Sequence, residues 1–255
     1  MAEIDFFWIK FLGGHIVESV KPRYSKQKSF ALTRVEVLLV VFLLAGIMVW
    51  LMTFVDRSRP KAYGFSCMNN LKQVSLAYRI WAGDNNGKYP MELSVTNGGT
   101  MEFAATGDVV KTFQIMSNYL STPKVLFCPA DSQRTNAAHF ESLTTSNISY
   151  FIGIDATSSR PQSVLVGDDN FAVNGVPVKS GLLQLSTNTP VTWTSSRHVS
   201  FNVHFWTPES KRHAGNILLT GDSDDRIRSF LKADDNALFQ ALTGSGLATN
   251  RLAIP

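Results

Sequence analysis

VLLVVFLLAGIMVWLMTFV, residues 37–55, runs for nineteen residues without a charge. At a rise of about 1.5 Å per residue, a helix of this length crosses most of a hydrocarbon core. The rest of the sequence holds no second run of that length, so the pattern predicts one membrane crossing followed by a polar-surfaced domain of about 200 residues. A cleaved secretory signal also has a basic front and an apolar middle. Here, however, the apolar run is longer than such a signal needs, and no small-x-small cut site closes it. Asp56, Arg57, Arg59 and Lys61 stop the run at the interface and favour an uncleaved anchor. Lys21, Arg23, Lys26, Lys28 and Arg34 on the front side narrowly outweigh Arg57, Arg59 and Lys61 behind it, which places the N-terminus in the cytoplasm.

Immediately before the run stands Glu36. A carboxylate at the edge of a membrane segment is costly and needs a partner. In one reading it sits at headgroup level beside Arg34; in another it meets a cation supplied by a neighbouring chain.

The surrounding residues, ALTRVEVLLVV at 31–41, resemble the cleavage and methylation segment of type IV prepilins and type II secretion pseudopilins. In that family a basic leader ends at a small residue and a glutamate stands fifth in the mature chain. The resemblance implies that Ala31 ends the leader, that Leu32 becomes the methylated N-terminus, and that Glu36 is the assembly glutamate. Ala31, Leu32 and Arg34 depart from the family's usual Gly, Phe and apolar residue. A cut after Ser29 would put the aromatic Phe30 first but move the glutamate to seventh place. The physical logic is that cutting before Leu32 creates an α-amino cation that an adjacent subunit's Glu36 can neutralise.

Further along, CMNNLKQ (67–73), WAGDNNGKYP (81–90), STPKVLFCPAD (121–131), SYFIG (149–153) and GDDN (167–170) are similar to a pseudopilin-like family of verrucomicrobial and planctomycete bacteria. RHAGNILLTGDS (212–223) looks like that family's closing motif, with Ser223 where it has Gly. The implied organisation is a basic leader (1–31), a transmembrane helix (32–57), an amphipathic stem helix (58–84) and a globular head (85–255). The implied partners are a prepilin peptidase, other pilin or pseudopilin subunits and the inner membrane, with the head in the periplasm or another extracytoplasmic space. The implied role is structural rather than enzymatic, with no cofactor.

The residues themselves predict an α+β fold, a long N-terminal helix packed on a small antiparallel sheet, and the resemblance implies that this fold is pilin-like. Pro60 would kink or interrupt the helix, but Ala62, Phe65, Met68, Leu71, Val74, Ala77, Tyr78 and Trp81 continue at helical spacing. Asp84-Asn85-Asn86-Gly87 stops it. Residues 109–120 read as a helix. Strand candidates follow at 125–128, 148–154, 164–167, 201–206, 217–220 and 227–231, then a helix at 235–242 and a frayed end.

Other chemistry finds little support. Five of the basic residues lie within the first 31 positions, leaving 19 basic and 17 acidic residues in the remainder, too balanced for a nucleic-acid surface. Two cysteines are too few for a structural zinc site. Cys67 on the stem and Cys128 at the end of a strand candidate would pin stem to sheet as a disulfide; two buried thiols are the alternative. The oxygen-rich stretches 84–87 and 167–170 lack calcium-loop spacing and read as turns. An anchored hydrolase is the rival class, but no Gly-x-Ser-x-Gly elbow occurs.

Overall fold

The computed structural model describes residues 33–194, 215–221, 226–230 and 235–255, with backbone alone at 53–62 and 226–230. The strand candidate at 201–206 lies outside them. Two compact units are resolved, Met1–Ile47 and Met48–Pro255.

In the first unit, the described residues open α1 (Arg34–Asp84), a 51-residue helix. Its stretch Arg34–Met52 is long and apolar enough to cross a membrane, and none of it is buried. Large apolar side chains from Val35 to Met52 are 46–78% exposed, so no protein core accounts for their hydrophobicity.

Across Pro60 the helix is continuous, so the interruption that the sequence pattern allows there does not occur. The loss of one backbone hydrogen bond is outweighed by the helical turns on either side. In the second unit, Cys67, Leu71, Val74, Tyr78 and Trp81 form the buried stripe, each no more than 5% exposed. Phe65, predicted on that stripe, is instead 56% exposed, because the face turned to the core is centred on Cys67. Asn86 and Gly87, at φ 56° and 76°, end the helix as the Asp-Asn-Asn-Gly run predicts, and the Gly87 N–H closes onto the Ala82 carbonyl at 2.8 Å.

Beyond it come α2 (Met101–Ala105), α3 (Val109–Ile115) and a series of 3₁₀ turns. The nine strands among the described residues are β1 (Tyr150–Gly153), β2 (Val164–Asp168), β3 (Phe171–Val173), β4 (Val176–Pro177), β5 (Gly181–Ser186), β6 (Val191–Trp193), β7 (Gly215–Leu219), β8 (Arg226–Phe230) and β9 (Thr249–Ile254), with α4 (Asp235–Thr243) before the last. Six form one sheet in the order β5-β9-β1-β2-β7-β8, three a second in the order β4-β3-β6, and every described pairing is antiparallel. The architecture is therefore α+β, as the sequence pattern predicts.

Both faces of the larger sheet are buried, since successive strand residues point opposite ways. Tyr150, Ile152, Leu165, Leu218 and Ala253 join the α1 stripe, Phe113 and Met116. Phe151, Ile217, Leu219, Leu252 and Ile254 join Leu238, Ala241 and Leu242 of α4. Gly153 ends β1 where a Cβ would lie 1.8 Å from the Val164 carbonyl oxygen, so only glycine lets the two backbones approach this closely.

Two predicted elements are corrected. Residues 125–128 are not a strand: Pro123–Leu126 is a 3₁₀ turn capped by Thr122, with proline in its first turn. The C-terminal residues do not fray; β9 lies between β5 and β1 and is buried at Leu252, Ala253 and Ile254.

Candidate functional site

Ala31 and Leu32 lie outside the described residues. Glu36 is described, at the third position of α1, where Thr33 caps the helix. The Thr33 N–H and Oγ1 donate to Glu36 Oε2 at 2.7 and 3.0 Å, and the Glu36 N–H returns to Thr33 Oγ1 at 3.3 Å. This reciprocal pair satisfies two backbone donors that the helix start leaves open. The sequence signal for it, Thr-x-x-Glu before an apolar run, is plain once sought. Glu36 makes no ion pair with Arg34; both of its side-chain contacts use Oε2.

Cys67 and Cys128 are bonded to each other across 61 positions, joining the buried face of α1 to the turn after Leu126. Reduced thiols, the alternative left open above, are thereby excluded in this structure. One helical turn on, Asn70 Nδ2 donates to the Phe127 carbonyl at 2.7 Å, so a covalent and a polar link hold the same turn to α1.

From this clamp a chain of buried polar groups runs into the sheet. The Cys128 N–H donates to Ser149 Oγ at 3.1 Å, and Ser149 Oγ to Asp131 Oδ2 at 3.1 Å. Arg134 pairs with Asp169 at 2.6 Å, lies 3.9 Å from Asp131, and donates to the Ile148 carbonyl. Asp168, at the end of β2, accepts from the Asn216 N–H at 2.5 Å. Asp131, Asp168, Asp169, Asn170 and Asn216 are all at most 3% exposed. The run at 167–170 is thus a buried polar joint, where the sequence pattern predicts an ordinary turn. Isolated buried carboxylates are very costly, and the arginine and the backbone donors offset that cost here. Burial, and secondly the Asp168 carboxylate, push the Tyr150 hydroxyl well above the ordinary tyrosine range; burial does the same to Tyr78, with Tyr89 second.

Among the described residues no three His, Cys, Asp or Glu side chains converge as a metal site. His139 stands exposed, and the other four histidines lie outside the described residues.

A separate hollow of about 560 Å³ opens where β1 runs into the following loop, lined by Asp155, Arg160, Gln184, Thr249 and Arg251 among others. Arg251 grips Asp155 through Nε at 3.0 Å and Nη2 at 2.5 Å, while its N–H donates to Asp155 Oδ2 at 2.8 Å. Hydrogen bonding to Asp155 raises the Arg251 guanidinium above its ordinary range. None of these residues was marked by the sequence motifs. Comparison with family models, with curated proteins and with solved structures finds no match.

Proposed function

We propose that this protein is a pilin-like structural subunit, processed by a prepilin peptidase between Ala31 and Leu32 and assembled with copies of itself or related subunits into a short filament of a type II secretion or type IV pilus-like system. Supporting this reading above all is one helix with two kinds of surface: its stretch Arg34–Met52 is apolar enough to cross a membrane and is unburied, and a later stretch packs its stripe into a disulfide-clamped head. At its entry stands Glu36, whose Oε2 closes the capping box with Thr33 while Oε1 lies outside that box, where the cation of an adjacent chain can meet it.

In this mechanism the peptidase frees the Leu32 amine at the cytoplasmic edge of the inner membrane, and methylation preserves its charge. Glu36 of an adjacent subunit meets the amine as the apolar helices pack, which removes two charges from the lipid boundary together. The head faces the extracytoplasmic space, where an oxidising environment sustains the Cys67–Cys128 bond. The role is structural rather than catalytic.

Substituting Glu36→Ala tests this proposal against a single-pass binding protein that never polymerises. Membrane fractions should still contain the variant, while cross-linking between copies, present in the wild type, should disappear. Equal cross-linking in both proteins would favour the solitary anchor.

A further inference from the structure

The hollow beside β1 has the make-up of a binding site. Its charged lining is unequal: Arg251 is committed to Asp155, whereas Arg160 has no carboxylate partner among the described residues and spends one N–H on the Asp155 carbonyl at 3.3 Å. Two guanidinium groups and one carboxylate leave a net single positive charge in the lining.

Pairing in the sheet explains how the remaining polar groups gather. Gln184 of β5 lies opposite Arg251 of β9, and Ser186 opposite Thr249. Because Asn250 and Leu252 point to the α4 side, Thr249 and Arg251 share the other face with Gln184. Neither Gln184 nor Thr249 spends a side-chain polar atom on another described residue. Ser158 fixes the loop that carries Thr157 and Arg160 by donating to the Gly87 carbonyl, just past the end of α1. The Arg160 backbone carbonyl is held by Thr220 Oγ1 at 2.6 Å. Arg160 therefore projects from a backbone tied at two places.

We propose that this hollow binds a hydroxylated carboxylic acid of the uronic-acid class, its carboxylate on the Arg160 fork and its hydroxyls on Gln184, Thr157 and Thr249. The planar guanidinium matches a carboxylate with two parallel hydrogen bonds. One uncommitted positive charge suits a single negative charge; a doubly charged phosphate would be opposed by Asp155. Amide and hydroxyl groups, which donate and accept, suit the hydroxyls of a polyol, and the apolar part of the lining, to which Ile154 and Leu247 belong, suits the C–H face of a sugar ring. The volume falls in the range of small-molecule sites and admits one sugar-sized residue. This inference does not depend on assembly, and none of its residues takes part in the reading of Glu36.

Calorimetric titration of the full chain in detergent micelles tests it, with galacturonate, trigalacturonate and galactose as probes. Galacturonate should bind with a Kd on the order of 1 mM, and galactose at least about tenfold more weakly. Arg160→Gln should weaken galacturonate binding by about tenfold, and Gln184→Leu by about threefold, with thermal midpoints unchanged. Tighter binding of trigalacturonate than of galacturonate identifies a unit of an acidic polysaccharide as the ligand; equal binding identifies the free acid. Equal affinity for galactose and galacturonate overturns the proposal, as does galacturonate binding that neither substitution weakens.

Discussion

The two ends of α1 share a helical backbone and differ in what surrounds them. From Val35 to Met52 every large apolar side chain is at least 46% exposed, whereas Leu71 and Tyr78 are fully buried. Along the first stretch apolar residues occur on all sides of the helix, as lipid requires. Along the second they recur every three or four positions, with Lys72, Gln73 and Arg79 between them, as a half-buried helix requires. Hydrophobicity alone would class both stretches as core; the angular distribution of the apolar residues separates a solvent that surrounds from one that lies on a single side.

Charge placed in each stretch should separate the two most strongly. Leu71→Asp should destabilise the head by more than about 4 kcal/mol, because an unpaired carboxylate would sit in the closed core. Leu44→Asp should leave the head's denaturation midpoint unchanged and instead weaken membrane insertion by about 3–4 kcal/mol. Chemical denaturation in micelles and the partition between membrane and soluble fractions measure the two effects. If Leu71→Asp spared the head, or Leu44→Asp unfolded it, the contrast between the stretches would fail.

Removing the clamp gives the next effect. Replacing Cys67 and Cys128 by serine opens a loop of about 60 residues and should cost about 2–4 kcal/mol of head stability, read as a lower thermal midpoint. An unchanged midpoint would mean that the packing of Leu71, Val74 and Tyr78 holds the second stretch unaided.

The contrast was legible in sequence because it is written in local spacing. So were β1, β2 and β7, each a short apolar run, and with them β8 and the helix α4. The strand assigned at 125–128 failed because Pro123 and the capping Thr122 outweigh the β propensity of Val125 and Phe127. β9 was missed because TNRLAI mixes polar and apolar residues, and its central place depends on pairing with β1 and β5, about 100 and 70 positions earlier. The disulfide was readable as a possibility, since two cysteines allow one pairing. Neither the buried Arg134–Asp169 pair nor the hollow at Arg160 was readable, because both join residues that only the folded chain brings together.

A smaller effect sharpens the same comparison through pH. Below about pH 10, the ordinary tyrosine range, Tyr78 and Tyr150 are protonated in folded and unfolded chains alike and the head keeps its full stability. Above that range the unfolded chain releases protons that both buried hydroxyls still hold, so stability should fall as pH rises. Tyrosinate absorbance, followed alongside circular dichroism, would show Tyr78 and Tyr150 ionising only with unfolding; their ionisation in the intact head would contradict their burial.

The most direct test of the assembly reading is the intact mass of the protein extracted from the membrane that makes it. A chain beginning at Leu32 and carrying one added methyl group is the expected result, because only that cut places a charged amine four residues before Glu36. An uncut Met1, or a start that leaves Glu36 at another distance from the new terminus, would contradict it.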